Sequence, residues 1–491
     1  MYPSRPAAAV ATFLVLGSAA VMLAGCQSYQ SKPLDLAAHR DAWLSRTPGD
    51  EPVRAFAEQL AEQSVGAGEP TRFDLSDGLS LAEAEVVALV FNPDLRLARL
   101  QAGVTAATAE HAGLWGDPQF GVDFLSMVEG GSNPFLITPG LSFTIPISGR
   151  LEAEKARADA AARAELTRVA EQEWNTRIEV RRAWLTWSAA KLKAEQTERL
   201  LGSIEALVSS TTRLADAGEI VRTEAALFTI ERASQRQALL RYRGEAAEAE
   251  QELRTLLGLS PEVSLELVPT VAVIVDMDSL SADAAEDRSL TLARLRDEYE
   301  VAEQTLRREV REQYPDLTIG PLAEFDRGDT LLGFSLSLPI PLLNGNKQGI
   351  AEAHAQRELA RAAFETAYER LVGALAATRV RLDTLREQRG VIETDIVPLV
   401  DRQLADAQNL LQLGEGGSLV LLESLTRVGQ TQMALIDARL GESLAIARLA
   451  ELVGPPAAVP TENPNTPGAA DPAVSPAPAI NEGDAAREVT P

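Results

Sequence analysis

One thiol and three imidazoles are the side chains of this sequence whose scarcity makes their positions informative. Cys26 is the only cysteine, so neither an intrachain disulfide nor a cysteine-based metal cluster can form. It follows Leu23-Ala24-Gly25 at the end of an apolar run that starts at Ala7, with Arg5 ahead of it. Small residues at the end of an apolar run with a positive start mark a targeting segment, and the thiol closes it. His39, His111 and His354 lie far apart and in different expected elements. No nucleophile, base and orienting carboxylate converge around any of them. Gly414-Glu415-Gly416-Gly417 is rich in glycine but lacks the Lys-Ser/Thr that completes a phosphate loop, and a turn between helices accounts for it. Five methionines give no methionine relay for soft metals. These residues predict a protein that is not an enzyme, with no cofactor and no metal site.

The elements that carry them come next. Leu23-Ala24-Gly25-Cys26 resembles the lipobox of bacterial lipoproteins, which makes 1–25 a signal peptide and Cys26 the site of a covalent lipid. Gln27, where an aspartate would favour retention at the inner membrane, points to the outer membrane. A formal net charge of −25 argues against a nucleic-acid partner. No stretch after the leader reaches the 18 or so apolar residues of a membrane helix, so any membrane crossing has to be made with strands. Aromatics are only 5%, a composition of extended helices and coiled coils.

An internal repeat orders the middle of the chain. Phe143-Thr144-Ile145-Pro146-Ile147 matches Leu336-Ser337-Leu338-Pro339-Ile340, and after a three-residue insertion Gly149, Gly218-Glu219 and Gly258 match Gly345, Gly414-Glu415 and Gly454 in order. Each half reads as helix, strand, strand, long helix, turn, long helix. Phe120, Val122 and Phe124 alternate with small or polar residues, as do Leu332, Phe334, Leu336 and Leu338, the period of a strand with one apolar face. Hairpins are expected at about 117–147 and 315–341. No proline occurs between Pro146 and Pro261. A helix from about 150 to 217 would run roughly 100 Å at 1.5 Å per residue. Leu239, Tyr242, Ala246, Ala249, Leu253 and Leu256 form a 3-4-3 seam, repeated from Leu435 to Leu452 with a break at Glu442. Pro398 interrupts a long helix of the second half and predicts a local bend.

Four strands in one chain leave two open edges, which hydrocarbon does not tolerate. Closure needs at least eight strands, hence more than one copy. Two copies would supply eight and three would supply twelve, and the strand count alone leaves both open.

Over about residues 79–454 the chain resembles the TolC-like outer membrane efflux protein family. The resemblance rests on Leu79-Ser80-Leu81-Ala82-Glu83-Ala84 through Asn92-Pro93-Asp94-Leu95, on the junctions Ile145-Pro146-Ile147-Ser148-Gly149-Arg150 and Leu338-Pro339-Ile340-Pro341-Leu342-Leu343-Asn344-Gly345, and on the tips Ala217-Gly218-Glu219-Ile220 and Leu413-Gly414-Glu415-Gly416. It implies a mainly α fold with a transmembrane β-barrel: a homotrimer closing as a 12-stranded barrel and an α-helical barrel that extends into the periplasm. It also implies a periplasmic adaptor, an inner-membrane efflux transporter and outer-membrane lipid as partners. Gly218, Glu219, Gly414 and Glu415 are then candidate adaptor-contact tips. In the family, acidic side chains shortly after the second-tip glycine constrict the periplasmic entrance. Glu423 falls on one such position and Val420 on the other, against the plainer reading of Glu423 as a solvated surface glutamate.

The expected organisation is therefore a signal peptide (1–25), an N-terminal lipidated segment (26–78), a first repeat (79–260), a linker (261–289), a second repeat (290–454) and a disordered tail (455–491) with nine prolines in its 37 residues. The expected function is an outer-membrane conduit of a tripartite efflux system for small molecules or metal ions. Two other readings are a type I secretion exit duct and a pore-less periplasmic coiled-coil envelope lipoprotein. An outer-membrane barrel enzyme would need a convergent catalytic set.

Overall fold

The computed structural model describes residues 29–63, 73–126, 135–271, 280–326, 329–413 and 417–456. Cys26, the leader and nearly all of the tail lie outside these residues. Helix α1 (Leu36–Leu44), capped by Asp35, belongs to a separate compact unit that ends at Arg46. All further elements belong to the second unit.

That unit is mainly helical. It opens with α2 (Glu51–Gln63), α3 (Leu81–Phe91) and α4 (Pro93–Glu110). Ser80 and Glu83 form a capping box at the start of α3, and Asn92 caps α4 with Pro93 in its first turn, as missing-donor logic favours. Strands β1 (Gln119–Ser126) and β2 (Phe135–Ile145) follow, then α5 (Arg150–Ala217) and α6 (Arg222–Leu256). The second half supplies α7 (Ala282–Arg288), α8 (Leu290–Glu312), β3 (Leu317–Asp326), β4 (Asp329–Ser337) and α9 (Lys347–Val391). A π-helical turn (Ile392–Ile396) leads into α10 (Val397–Gln412), and α11 (Ser418–Val453) closes the described chain. With 68 residues, α5 is about 100 Å long.

Helix α5 is the centre of that unit. A surface helix shows one apolar stripe; one buried on several sides has to be apolar on several sides. Between Trp174 and Ala190 that is what α5 shows. Trp184 and Trp187, in edge contact at 5.5 Å, pack with Val87 and Phe91 of α3 and Leu253 of α6. Trp174 and Ile178 of the same helix join Leu375 and Leu382 of α9 and Leu449 and Val453 of α11. The Trp174 indole N–H donates to the Ala450 carbonyl at 3.1 Å. Buried Glu85 of α3 is held by Arg177 at 2.9 Å and Arg181 at 2.7 Å, as a charge removed from water requires.

Two glycines make the same contact in the two halves. Gly258, after α6, has φ +67°, and a Cβ there would lie 2.0 Å from the Phe91 carbonyl oxygen, beside the cap of α4. Gly454, after α11, has φ +94°, and a Cβ there would lie 2.1 Å from the Arg288 carbonyl oxygen, beside Ser289, the residue before α8. Both positions combine left-handed backbone with backbone-to-backbone approach, so only glycine fits.

Three segments carry structure that the sequence does not specify. The polar stretch 26–78 contains α1, α2 and a 3-10 turn at Leu75–Asp77. Helix α2 forms because Phe56 packs with Leu89 and Leu95 while Leu60 covers them, an apolar stripe too sparse to read unaided. The described residues of the linker 261–289 are tied to both halves. Leu267 bridges Leu79, the Thr270 N–H donates to Ser188 of α5 at 3.1 Å, and Ser443 of α11 donates to the Val271 carbonyl at 2.6 Å. Ahead of Pro398 the chain takes a π turn, which widens the helix where a proline ring would meet the carbonyl four residues earlier.

Candidate functional site

The sheet is the first place where the fold offers a function. Its order is β1-β2-β3-β4, each pair antiparallel. Cross-strand partners share a face, so the register decides whether four alternating strands make one surface. Phe120, Val122 and Phe124 oppose Leu141, Pro139 and Ile137. Phe143 opposes Ile319, and Ile319, Pro321 and Ala323 oppose Leu336, Phe334 and Leu332. The result is one continuous apolar face. Strands of 8 to 11 residues at about 3.3 Å rise and 4.8 Å spacing give a face of roughly 26 by 19 Å, about 500 Å². Phe124, Leu332, Phe334 and Leu336 are all exposed on it. A patch of this size marks an interaction surface, and its height matches the apolar band of a membrane barrel.

The opposite face carries small and polar residues. Gln119 opposes Ser142, Asp123 opposes Thr138, and Gly320 opposes Ser335. The Thr144 and Thr318 hydroxyls are hydrogen-bonded at 3.1 Å. Leu125, Leu322 and Leu331 depart from the pattern. Such a sheet can separate hydrocarbon from water. Among the described residues of the single chain, β1 pairs only with β2 and β4 only with β3, which leaves both edges open.

The helix ends form the second place. Helix α5 ends at Gly218 in the left-handed conformation, and the Glu219 N–H donates to the Leu214 carbonyl at 2.9 Å. Gly414 and Glu415, the matching tip, lie outside the described residues. The helices that leave the two tips are brought together. Ser418, the first residue of α11, donates to Glu224 in the first turn of α6 at 2.6 Å. Ile204, Val208, Phe228 and Leu422 make a small core nearby. Glu423 is exposed and paired with Arg427 at 3.0 Å, and Val420 is exposed.

Sequence reasoning missed a third feature. Glu442, the break in the apolar seam of α11, accepts from Arg386 at 3.1 Å and Arg389 at 2.6 Å. Arg389 continues to Glu393 at 2.6 Å, and Arg439 reaches Glu393 at 2.8 Å. The hydrogen bond from Arg439 holds the Glu393 carboxyl below its usual range, with Arg389 adding to it. The π turn, which includes Glu393, is thereby tied to both α9 and α11. The available signal was a carboxylate in a seam position together with two arginines three residues apart in the facing helix.

His39, His111 and His354 stand on α1, after α4 and on α9. Among the described residues no group of three or more His, Cys, Asp or Glu is arranged to hold a metal ion, and no helix is long and apolar enough to cross a membrane. Residues 86–259, from α3 through α6, match the family model described as outer membrane efflux protein. The chain carries an outer membrane efflux protein domain. The long-helix fold extends beyond that domain and is shared with solved membrane proteins. VceC, the outer membrane protein of Vibrio cholerae, superposes with a TM-score of 0.65 at 16% identity, covering 76% of this chain and 96% of that one. A membrane protein of Pseudomonas aeruginosa gives 0.64 at 16% identity over 78% and 92%. The MtrE outer membrane channel of Neisseria gonorrhoeae in its open state gives 0.62 at 16% identity over 76% and 88%. What these proteins share with this chain is the fold. A comparison with curated proteins returns no match.

Proposed function

We infer that the chain is the outer-membrane channel of a tripartite efflux system. Three copies close their sheets into a 12-stranded barrel and their helices into a tunnel across the periplasm. The protein passes small molecules or metal ions handed over by an inner-membrane transporter and its adaptor, and it catalyses no reaction. The observation that carries this reading is the four-stranded sheet, apolar on one face and polar on the other, with two open edges and a helical bundle about 100 Å long beneath it. A pore-less coiled-coil lipoprotein has no use for such a sheet. The recurring element order, and the shared contact of Gly258 and Gly454, support two copies of one ancestral unit at 79–260 and 290–454.

The test is the oligomeric state. Protein purified in detergent should run as a trimer of chains of about 50 kDa, the 52.6 kDa sequence less its leader, with a strongly helical circular dichroism spectrum. A stable, folded monomer would refute the architecture.

The lipid anchor is part of the same reading. Mass spectrometry should find Cys26 as the acylated N-terminus, and Cys26→Ser should leave part of the protein mislocalised. An unmodified N-terminus upstream of residue 26 would sink the assignment. The barrel would hold the remainder, since one anchor is not the only attachment.

The tips are assigned to the adaptor, with Gly218, Glu219, Gly414 and Glu415 at the contact and Glu423 lining the entrance. In planar bilayers Glu423→Gln should reduce cation selectivity and block by divalent cations while leaving the trimer intact. Pairing with Arg427 means the ring acts with part of its charge compensated. Glu415→Gln serves as the control, expected to face the adaptor or solvent. Equal shifts from both substitutions, or from neither, would remove Glu423 from the gate.

A further inference from the structure

Two segments with exposed apolar side chains lie at one end of the sheet. Because the strands alternate in direction, the start of β1, the end of β2, the start of β3 and the end of β4 lie together: Gln119 faces Ser142, Ile145 faces Leu317, and Thr318 faces Ser337. Leu114 and Trp115 precede β1, and Trp115 is 65% exposed. Leu338, Ile340, Leu342 and Leu343 follow β4, with Leu342 at 82% and Leu343 at 93%. These two segments belong to the two open edges. Within one chain they are separated by the width of four strands, about 14 Å between the outer two. Between the Leu114–Trp115 segment and the end of β2, a cavity of about 350 Å³ opens, lined by Gly116, Asp117, Gln119, Thr144, Pro146 and Arg150.

We propose that the segment after β4 of one copy clasps the segment before β1 of the next, with Leu342 and Leu343 seated against Leu114 and Trp115 and in the cavity beside them. The inference rests on the closed-trimer reading. In a closed antiparallel barrel, β4 of one chain runs opposite to β1 of its neighbour, which brings the residues that follow the first to those that precede the second. An apolar Leu-Pro-Ile-Pro-Leu-Leu run (Leu338 to Leu343) that leaves Leu343 almost wholly exposed makes sense as an arm reaching a second copy. The prolines fix its backbone, so little entropy is lost when it docks. The arm would seal the joint at the level where barrel passes into helices, where the strand hydrogen bonds have ended. It would also make that joint a second contact between copies, independent of the strand ladder.

The experiment is oxidative cross-linking of the full-length chain in membranes, read by denaturing gel without reductant. A disulfide needs Cα atoms within about 7 Å. Trp115→Cys with Leu342→Cys should convert most of the protein into covalent dimers and trimers, and Leu114→Cys with Leu343→Cys provides a second pair should the first be poorly oriented. Each single variant should stay uncross-linked. So should Trp115→Cys with Leu332→Cys, whose β4 residue lies well inside the strand. Failure of both clasp pairs in a chain that is still a trimer by size in detergent would overturn the clasp and leave the channel reading standing. Rapid labelling of Leu342→Cys by a lipid-soluble reagent in that trimer would assign the arm to the bilayer instead. A monomeric parent chain would overturn the trimer beneath the proposal.

Discussion

Phe334→Arg should leave little of the protein in the outer membrane as a detergent-stable oligomer, whereas Ser335→Arg, one residue along β4, should leave most of it there. Phe334 lies mid-strand on the apolar face, opposite Pro321, and Ser335 lies on the polar face opposite Gly320. An arginine on the lipid side near the bilayer midplane costs about 2–4 kcal/mol. Three copies multiply that to roughly 6–12 kcal/mol per trimer, enough to abolish assembly of a protein of ordinary stability. An arginine on the inner face meets water. Membrane fractionation followed by an unheated gel reads both variants. If the two behave alike, the sheet does not divide lipid from lumen.

The second large effect concerns Gly258→Ala. Placing an alanine at φ +67° costs about 1–2 kcal/mol. A Cβ 2.0 Å from the Phe91 carbonyl oxygen must also push two backbones apart, and overpacking of that kind costs about 1–3 kcal/mol. Gly258→Ala should therefore lose roughly 2–5 kcal/mol of stability, and Gly454→Ala should behave the same way. Gly244→Ala is the contrasting case. It sits inside α6 with nothing within 4 Å of its Cβ, and alanine is the better helix former by about 1 kcal/mol, so the variant should be slightly more stable. Thermal unfolding of the detergent-solubilised protein measures all three. A Gly258→Ala chain that melts with the parent would show that the helix junction can open to admit a methyl group.

Much of the helix and strand order was legible because its signals are local. A stretch without proline from Pro146 to Pro261 allowed one long helix, and α5 begins and ends at the left-handed glycines Gly149 and Gly218. Alternation of Phe120, Val122 and Phe124 with small or polar residues declared a strand. What could not be read is whatever depends on registration between distant segments. Period two says that each strand has an apolar face, but only the pairing of Phe143 with Ile319 across the two hairpins shows that the four faces coincide. Glu442 read as a defect in a seam until Arg386 and Arg389 were placed opposite it. Pro398 predicted a disturbance, but a π turn and a bend answer the same clash, and the choice lies in the surrounding packing. Of the site residues, Gly218 and Glu219 form the turn expected of them, and the first turns of α6 and α11 meet through Glu224 and Ser418, a contact no periodicity contains.

The double role of α5 has a consequence for how the molecule comes apart. Trp184 and Trp187 anchor the core of the first half, while Trp174, about three turns earlier, anchors that of the second. A helix that cannot melt on one side and persist on the other couples both cores into one cooperative unit, so neither half has a native state of its own. Three of the five tryptophans lie on that shared helix. Their emission reports the joining of the halves directly, and a fragment ending between them would have neither core to fold around.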